Sequence, residues 1–373
     1  MRLLRGLEAV NSSRCNADKC SIKGQLLLTS QLWLHIYVSI INKCIVCKQH
    51  CKRITYKVLL IFPQLFDKFK YDLLNKLCQK GALRVLIKIH KRFEWSPDDV
   101  QDCNSYVFCN TCAYGYTDVV KWLYETFQLS TKQVGIYGAF SLTCANGHLD
   151  TAQWLYTVFQ PTVNDMRSHD NDAFRYACEN GFLHVAQWLH TTFQLTAADA
   201  RSHYNDAFQC ACSAGYLDVA QWMYTTFQLT VDDMRCYHHN EDFNAFRSAC
   251  VEGHLDMAKW LHTTFQLTVN DTRSYDDNAF STACENGFLD VVQWLYTTFQ
   301  LTADDIRQHE SCAFMLACME GHLDVAKWLH TTFQLTVDDA RFENNLAFKS
   351  AYENRHQNVC DWLAATFGES VRA

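Results

Sequence analysis

Tryptophan recurs along this chain at a nearly fixed interval, and that interval constrains everything else. Trp122, Trp154, Trp188, Trp222, Trp260, Trp294, Trp328 and Trp362 are separated by 32, 34, 34, 38, 34, 34 and 34 residues. Seven residues before each stand Gly115, Gly147, Gly181, Gly215, Gly253, Gly287 and Gly321, with Arg355 in the last copy. A worn earlier copy begins at Gly81, with Lys88 in the tryptophan place and Phe93 in the later phenylalanine place. Self-similarity at this period marks an array of small units that bury their faces against one another. Nine copies, roughly Leu73 to Phe367, predict an all-α helical solenoid. Such an array grows by nearest-neighbour contacts, so 373 residues need not divide into two or three compact domains.

One copy, Asn278 to Arg307, shows how the unit is built. Ala279, Phe280, Ala283 and Cys284 lie on one face of a short helix. Glu285-Asn286-Gly287 stops that helix, the glycine taking the left-handed conformation. Leu289, Val291, Val292, Trp294, Leu295 and Phe299 then mark a second helix, apolar over too wide an arc for a surface element. Thr302 and Asp305 form a capping-box pair for a third, short helix. The pair recurs as Thr162/Asp165, Thr196/Asp199, Thr230/Asp233, Thr268/Asp271 and Thr336/Asp339. An arginine two residues beyond each acid suits the negative end of that helix.

Nineteen cysteines suggest a disulfide framework until they are placed on the period. Cys78, Cys112, Cys144, Cys178, Cys212, Cys250, Cys284 and Cys318 all hold one repeat position, with Tyr352 in the ninth copy. Equivalent positions in stacked helices recur about 8–10 Å apart, beyond the roughly 7 Å Cα separation a disulfide tolerates. The cysteines therefore read as small buried apolar residues, reduced, in a cytoplasmic or nuclear compartment. The net charge of −7 hides an asymmetry: residues 1–80 carry 14 Lys+Arg against 4 Asp+Glu, and the remainder 19 against 36. An acidic array repels phosphates, so nucleic acid is not an expected ligand.

The helix–Gly–helix core reads Asn146-Gly147-His148-Leu149-Asp150-Thr151-Ala152, with similar runs from Gly253 and Gly321. It resembles the ankyrin repeat, and this variant is similar to the ankyrin arrays of large DNA viruses that infect amoebae. Two departures stand out: Ala-Phe replaces the family's Thr-Pro-Leu-His at the first helix, and a capped short helix replaces the usual β-hairpin finger. The resemblance implies a protein-interaction module. Histidines at His148, His254, His322 and His356, just after the turn, would cap and brace the loop; Tyr116, Phe182, Tyr216 and Phe288 replace them elsewhere. No phosphate-cradling glycine loop, nucleophile elbow or HExxH occurs, so neither an enzyme nor a cofactor is expected.

Residues 1–72 form a basic, Cys-rich leader, and 73–367 the array. Gly24 to Asn42 is uncharged, but its glutamines, serines, His35 and Asn42 argue against a membrane span. The segment around LTSQLWLHIYVSI and CIVCKQHCKRI resembles a degenerate F-box through Leu28, Leu32, Ile36, Val46, Cys47 and Lys48. That resemblance implies docking of a Skp-family adaptor, through Leu28, Leu32, Ile36 and Val46. A pair of helices capping the array is the plain alternative. Cys44, Cys47, His50 and Cys51 have metal-like spacing, yet three of them share a helical face, where cysteine is ordinary core.

Positions that vary between copies are free to meet a partner. They lie between each linker arginine and the next Ala-Phe or its equivalent, and the resemblance places them at tips beside the first helices. The candidate partner contacts are His169, Asn171, His203, Tyr204, Tyr237, His238, His239, Tyr275, Asp276 and His309. The 38-residue copy inserts four residues here, and Cys236 to Asp242 holds metal-capable side chains, although an inserted binding loop is the commoner reading. Arg355 at the turn marks the last copy as a polar end cap. The expected species is a monomer that binds another, unidentified protein.

Overall fold

The computed structural model describes residues 64–101, 106–130, 134–235, 244–272, 279–302 and 313–372. The chain divides into two compact units, Met1–Asp99 and Val100–Ala373. In the first, helices Gln64–Cys78 and Leu83–Phe93 meet across Gly81, whose φ is +60°. Leu73, Leu74, Cys78, Val85, Leu86 and Ile89 fill the seam. Trp95 closes it, its Nε1 donating to the Lys70 carbonyl at 3.2 Å.

The second unit is a stack of helix pairs. First helices Tyr106–Ala113, Ile136–Ala145, Asp172–Glu179, Ser202–Ser213, Ala245–Val251, Ala279–Glu285, Ala313–Met319 and Phe342–Glu353 pack each against the next. Every one is followed by an eleven-residue second helix, the series running from Thr117–Phe127 to Gln357–Phe367. Where described, short linker helices follow: Val163–Ser168, Ala197–Ala200, Val231–Met234, Val269–Thr272 and Val337–Ala340. Among the described residues there is no strand, and the architecture is that of an all-helical solenoid.

The glycine between the two helices has two jobs. Its φ lies between +69° and +85° from Gly115 to Gly321, a conformation that costs a side-chain-bearing residue about 1–2 kcal/mol. It is also a seat. A Cβ on Gly215 would come within 2.6 Å of the imidazole of His254, and the other turn glycines are covered more closely still. His148, Phe182, Tyr216, His254, Phe288, His322 and His356 thus each lay a ring on the turn of the preceding copy. These residues occupy the N-cap position of the second helix but make no side-chain cap hydrogen bond. The ring on the turn is the contact they share, and it explains why phenylalanine can replace histidine.

A second contact joins neighbours along the outer helices. Two residues after each tryptophan comes Tyr124, Tyr156, His190, Tyr224, His262, Tyr296 or His330. Each meets the Trp and Phe of the following copy edge to face: His190 to Trp222 at 6.0 Å and to Phe227 at 5.2 Å, for example. The same geometry runs from Tyr124 on Trp154 to His330 on Trp362. Edge-to-face pairs add about 0.5–1.5 kcal/mol beyond the area they bury. The last copy carries Ala364 in this place.

Seven of the eight second helices end in a left-handed glutamine, from Gln128 to Gln334, with φ between 46° and 52°, and the last ends in Gly368. This turn lets the following leucine donate back across five residues, Leu195 to His190 at 3.2 Å, while its side chain is buried. The repeat-phased cysteines of the described residues form no disulfide, and the eight from Cys78 to Cys318 are fully buried. Burial pushes the Cys109 thiol up to about 11, and the Cys144, Cys178 and Cys250 thiols higher. At neutral pH they stay protonated and unreactive.

In the last copy Arg355 takes the turn position with φ 66°. The turn Glu369–Arg372 packs on the last helix pair and buries Val371. Two substitutions separate the seat from the backbone effect. Gly253→Ala, which combines strain with displacement of Phe288, should lower unfolding free energy by about 3 kcal/mol. Arg355→Gly should raise it by about 1 kcal/mol or less. Urea unfolding followed by tryptophan fluorescence reads both, and an unchanged Gly253→Ala curve would sink the argument.

Candidate functional site

The tips are positioned by the linker helices, so their fixation comes first. Thr162, Thr196, Thr230 and Thr336 cap their helices in complete capping boxes. At Thr196, the backbone N–H and the hydroxyl donate to Asp199 Oδ2 at 2.8 and 2.7 Å. Arg167, Arg201 and Arg235, each two residues beyond its acid, do not stay at their own helix ends, as the local pattern suggests. They cross to the next linker. Arg167 donates to both oxygens of Asp199 at 2.6 and 3.0 Å, and Arg201 to both of Asp233 at 2.7 and 3.0 Å. Arg235 reaches Asp271 too, with Nε and Nη2 both donating to Oδ1. Upstream, Tyr137 takes the arginine's place and donates to Asp165 Oδ1 at 2.9 Å. Downstream, Arg341 donates to the Ser370 carbonyl at 3.3 Å.

One carboxylate therefore caps its own helix and receives its neighbour's guanidinium. The Arg167 guanidinium and the Thr196 cap hold the Asp199 carboxyl well below the usual range, against the opposing effect of burial. At Asp233 burial is the larger single influence and raises the pKa, but Arg201 and Thr230 together outweigh it and the net direction is down. Asp271 follows the same balance with Thr268 and Arg235.

On this frame sit the tips of two successive copies. Asp170 and Asn171 have φ of 53° and 55°; His203, Tyr204 and Asn205 have 50°, 57° and 62°. Five non-glycine residues in the left-handed region are concentrated here, at about 1–2 kcal/mol each. Buried side chains hold them there. Asn171 Nδ2 donates to Ser202 Oγ at 3.4 Å, and Asn205 Nδ2 to Asp233 Oδ1 at 3.2 Å. Gln209 adds two bonds, to the Asp233 and Met234 carbonyls, each 3.0 Å.

Facing outward, His169 stacks on Tyr137 with ring centroids 4.5 Å apart, its Nδ1 3.1 Å from the Asp165 carbonyl. His203 Nε2 lies 3.1 Å from Asp170, joining one tip to the next. Tyr204 is exposed. Nearby, Arg175 binds Asp172 at 2.6 Å and Asp206 at 2.9 Å, its guanidinium 4.3 Å from the Tyr176 ring. Of the sequence candidates, His169, His203 and Tyr204 thus share one surface, while Asn171 is buried and shapes the tip from inside. Tyr137, Arg175 and Tyr176 belong to that surface and were missed, because they sit on or against first helices rather than in the variable segment. Tyr237, His238, His239, Tyr275, Asp276 and His309 lie outside the described residues, as do Leu28, Leu32, Ile36 and Val46, the cysteine cluster at 44–51 and the inserted loop. Among the described residues, no group of three or more His, Cys, Asp or Glu is placed to hold a metal, and no helix is long and apolar enough to cross a membrane.

Depressed carboxyl pKa values make the linker frame pH-dependent. Its stabilisation is present above the unfolded carboxyl value of about 3.9 and is lost as pH falls through the lower folded values. Arg201→Ala should cost about 2 kcal/mol at pH 7, the scale of charge-assisted hydrogen bonds to a buried group. The gap from the parent chain should narrow below about pH 4, where the Asp233 carboxyl takes up a proton in the unfolded chain before it does in the folded one. Urea unfolding at pH 7 and pH 3 measures this; a gap that did not narrow would remove the carboxylate from the explanation.

Comparison with known proteins agrees with this architecture. The sequence pattern of ankyrin repeats (3 copies) matches residues 282–372, and that of ankyrin repeats (many copies) matches residues 246–295. No curated protein matches the chain. The matched stretch has the same helix–glycine–helix unit, the same ring on the turn and the same outer aromatic contacts as the copies that precede it in the second unit. Residues 246–372 thus carry the ankyrin-repeat pattern.

Proposed function

We propose that this protein is a non-catalytic binding module that holds a partner protein on its repeat tips and the first-helix faces beside them. Ankyrin repeats generally mediate protein–protein interaction. The observation that supports a specific surface is the strained, internally bonded pair of tips at 169–171 and 203–205. Backbone strain of this kind is retained where a surface must be presented in one shape. Exposed histidine and tyrosine rings on such a support offer rigid contact area at low entropy cost, with polar atoms at their edges. Buried, unbridged thiols favour a reducing compartment, cytoplasm or nucleus. A second reading adds a hook: residues 28–46, by their F-box-like Leu28, Leu32, Ile36 and Val46, would bring the array's partner to a Skp-family adaptor and cullin ligase. The same residues serve equally as part of a helical leader over 1–72.

Affinity capture from host cells with mass spectrometry tests both. The triple variant His169→Ala, His203→Ala, Tyr204→Ala should lose the principal captured proteins at least tenfold while keeping its helical circular dichroism. Deleting residues 1–60 should remove a Skp-family protein and cullin alone if the hook is real. Capture unchanged by the tip variant would refute the assigned surface, and an adaptor retained after deletion would refute the hook.

A further inference from the structure

Exposed large apolar residues are unevenly spread over the described residues. Tyr114, Tyr116, Leu142, Tyr204 and Tyr216 lie between positions 114 and 216, and the remaining ones, Val337, Phe342 and Tyr352, belong to the last linker and last copy. From 217 to 336 there are none among the described residues. Of the first group, Leu142 falls in a row that recurs at the repeat period with two less exposed residues. Leu142, Tyr176 and Cys210 each stand two residues before the buried repeat cysteine of successive first helices, and those helices pack side by side in that order. Leu142 is 41% exposed; Tyr176 is half-buried under the Arg175 guanidinium; Cys210 is half-buried.

Resting on the binding-module reading above, we propose that this row, across first helices Ile136–Ala145 to Ser202–Ser213, docks a cationic amphipathic α-helix with an apolar side chain every seventh residue. Three observations select that occupant. The first is spacing. Neighbouring packed helices recur about 8–10 Å apart, and seven residues of α-helix rise about 10.5 Å, so successive apolar side chains meet successive first helices. The second is backbone chemistry. The row consists of helices whose N–H and C=O groups are bonded internally, so it offers an extended chain no edge to pair with; a helix brings its own bonds satisfied.

Charge is the third. Residues 106–230 contain ten Asp+Glu against five Lys+Arg. Asp118, Asp150 and Asp218 are exposed at the starts of the adjoining second helices. On the other border Asp172 and Asp206 flank the row, with Asp206 bonded to Cys210 Sγ at 3.3 Å, and Arg175 is taken up by those two acids. An apolar strip between acidic borders complements a helix whose apolar stripe is flanked by Lys and Arg.

The test uses the full chain and a synthetic 21-residue peptide, Leu at every seventh position on a Lys/Ala background, against a scrambled peptide of identical composition. Fluorescence anisotropy at about 0.1 M salt should show the heptad peptide binding at least tenfold tighter. Leu142→Lys with Tyr176→Lys should weaken it at least tenfold. Gln187→Lys with Gln221→Lys, the same added charge on exposed second-helix positions, should leave it within twofold. Equal binding of the scrambled peptide, or equal loss with both lysine pairs, would overturn the proposal by reducing it to general electrostatics. No binding of the heptad peptide would overturn it also. Either failure leaves the tip reading standing wherever cellular capture still depends on His169, His203 and Tyr204.

Discussion

Every copy in the second unit depends on a ring resting on its neighbour's glycine. The contact is reciprocal in its demands: the glycine must be bare to receive the ring, and the ring must be flat to cover a left-handed turn. Because the seat belongs to one copy and the occupant to the next, neither copy completes its turn alone. The outer aromatic contacts and the linker arginines repeat that logic at two other places on the unit. Tyr124 through His330 reach forward to the next Trp and Phe, and Arg167, Arg201 and Arg235 reach forward to the next capping Asp. Stability is then shared between interfaces rather than stored in a central core, as expected for a quasi-one-dimensional protein.

This sharing explains the last copy. Its turn carries Arg355, its outer-ladder position Ala364 and its cysteine position Tyr352, three residues that would each damage an internal copy. Tyr352 is 66% exposed where Cys318 is fully buried, and Arg341 finds the Ser370 carbonyl instead of a capping carboxylate. Forward-reaching partners are the ones exchanged, while the features that face the preceding copy, His356 and Trp362 among them, are kept.

The period, the left-handed glycine, the buried cysteine position and the capping boxes were legible in the sequence because each is a local rule with a residue-type signature. What was not legible involves a partner elsewhere. Arginine beyond a helix acid reads as a dipole contact, yet Arg201 answers to a carboxylate 32 positions on, in the linker of the next copy. Asn171 reads as a polar surface residue and is buried, because its side chain sustains a backbone conformation invisible to composition. The left-handed glutamines from Gln128 to Gln334 escaped for the opposite reason. Glutamine carries no particular preference for that conformation, so only its recurrence before the buried leucine could have pointed to it.

The linker contact has a consequence for how such a chain can change. Arg235 and Asp271 stand 36 positions apart, against 32 for Arg167 with Asp199 and Arg201 with Asp233. The longer copy holds its extra residues between the arginine and the next first helix, and the contact still closes. Tip length is thereby uncoupled from helix register. Lengthening a loop costs little, about 0.6 kcal/mol per doubling, while the frame around it stays in phase. Such a scaffold can take on foreign recognition segments at its tips one copy at a time, each insertion leaving its neighbours' geometry undisturbed.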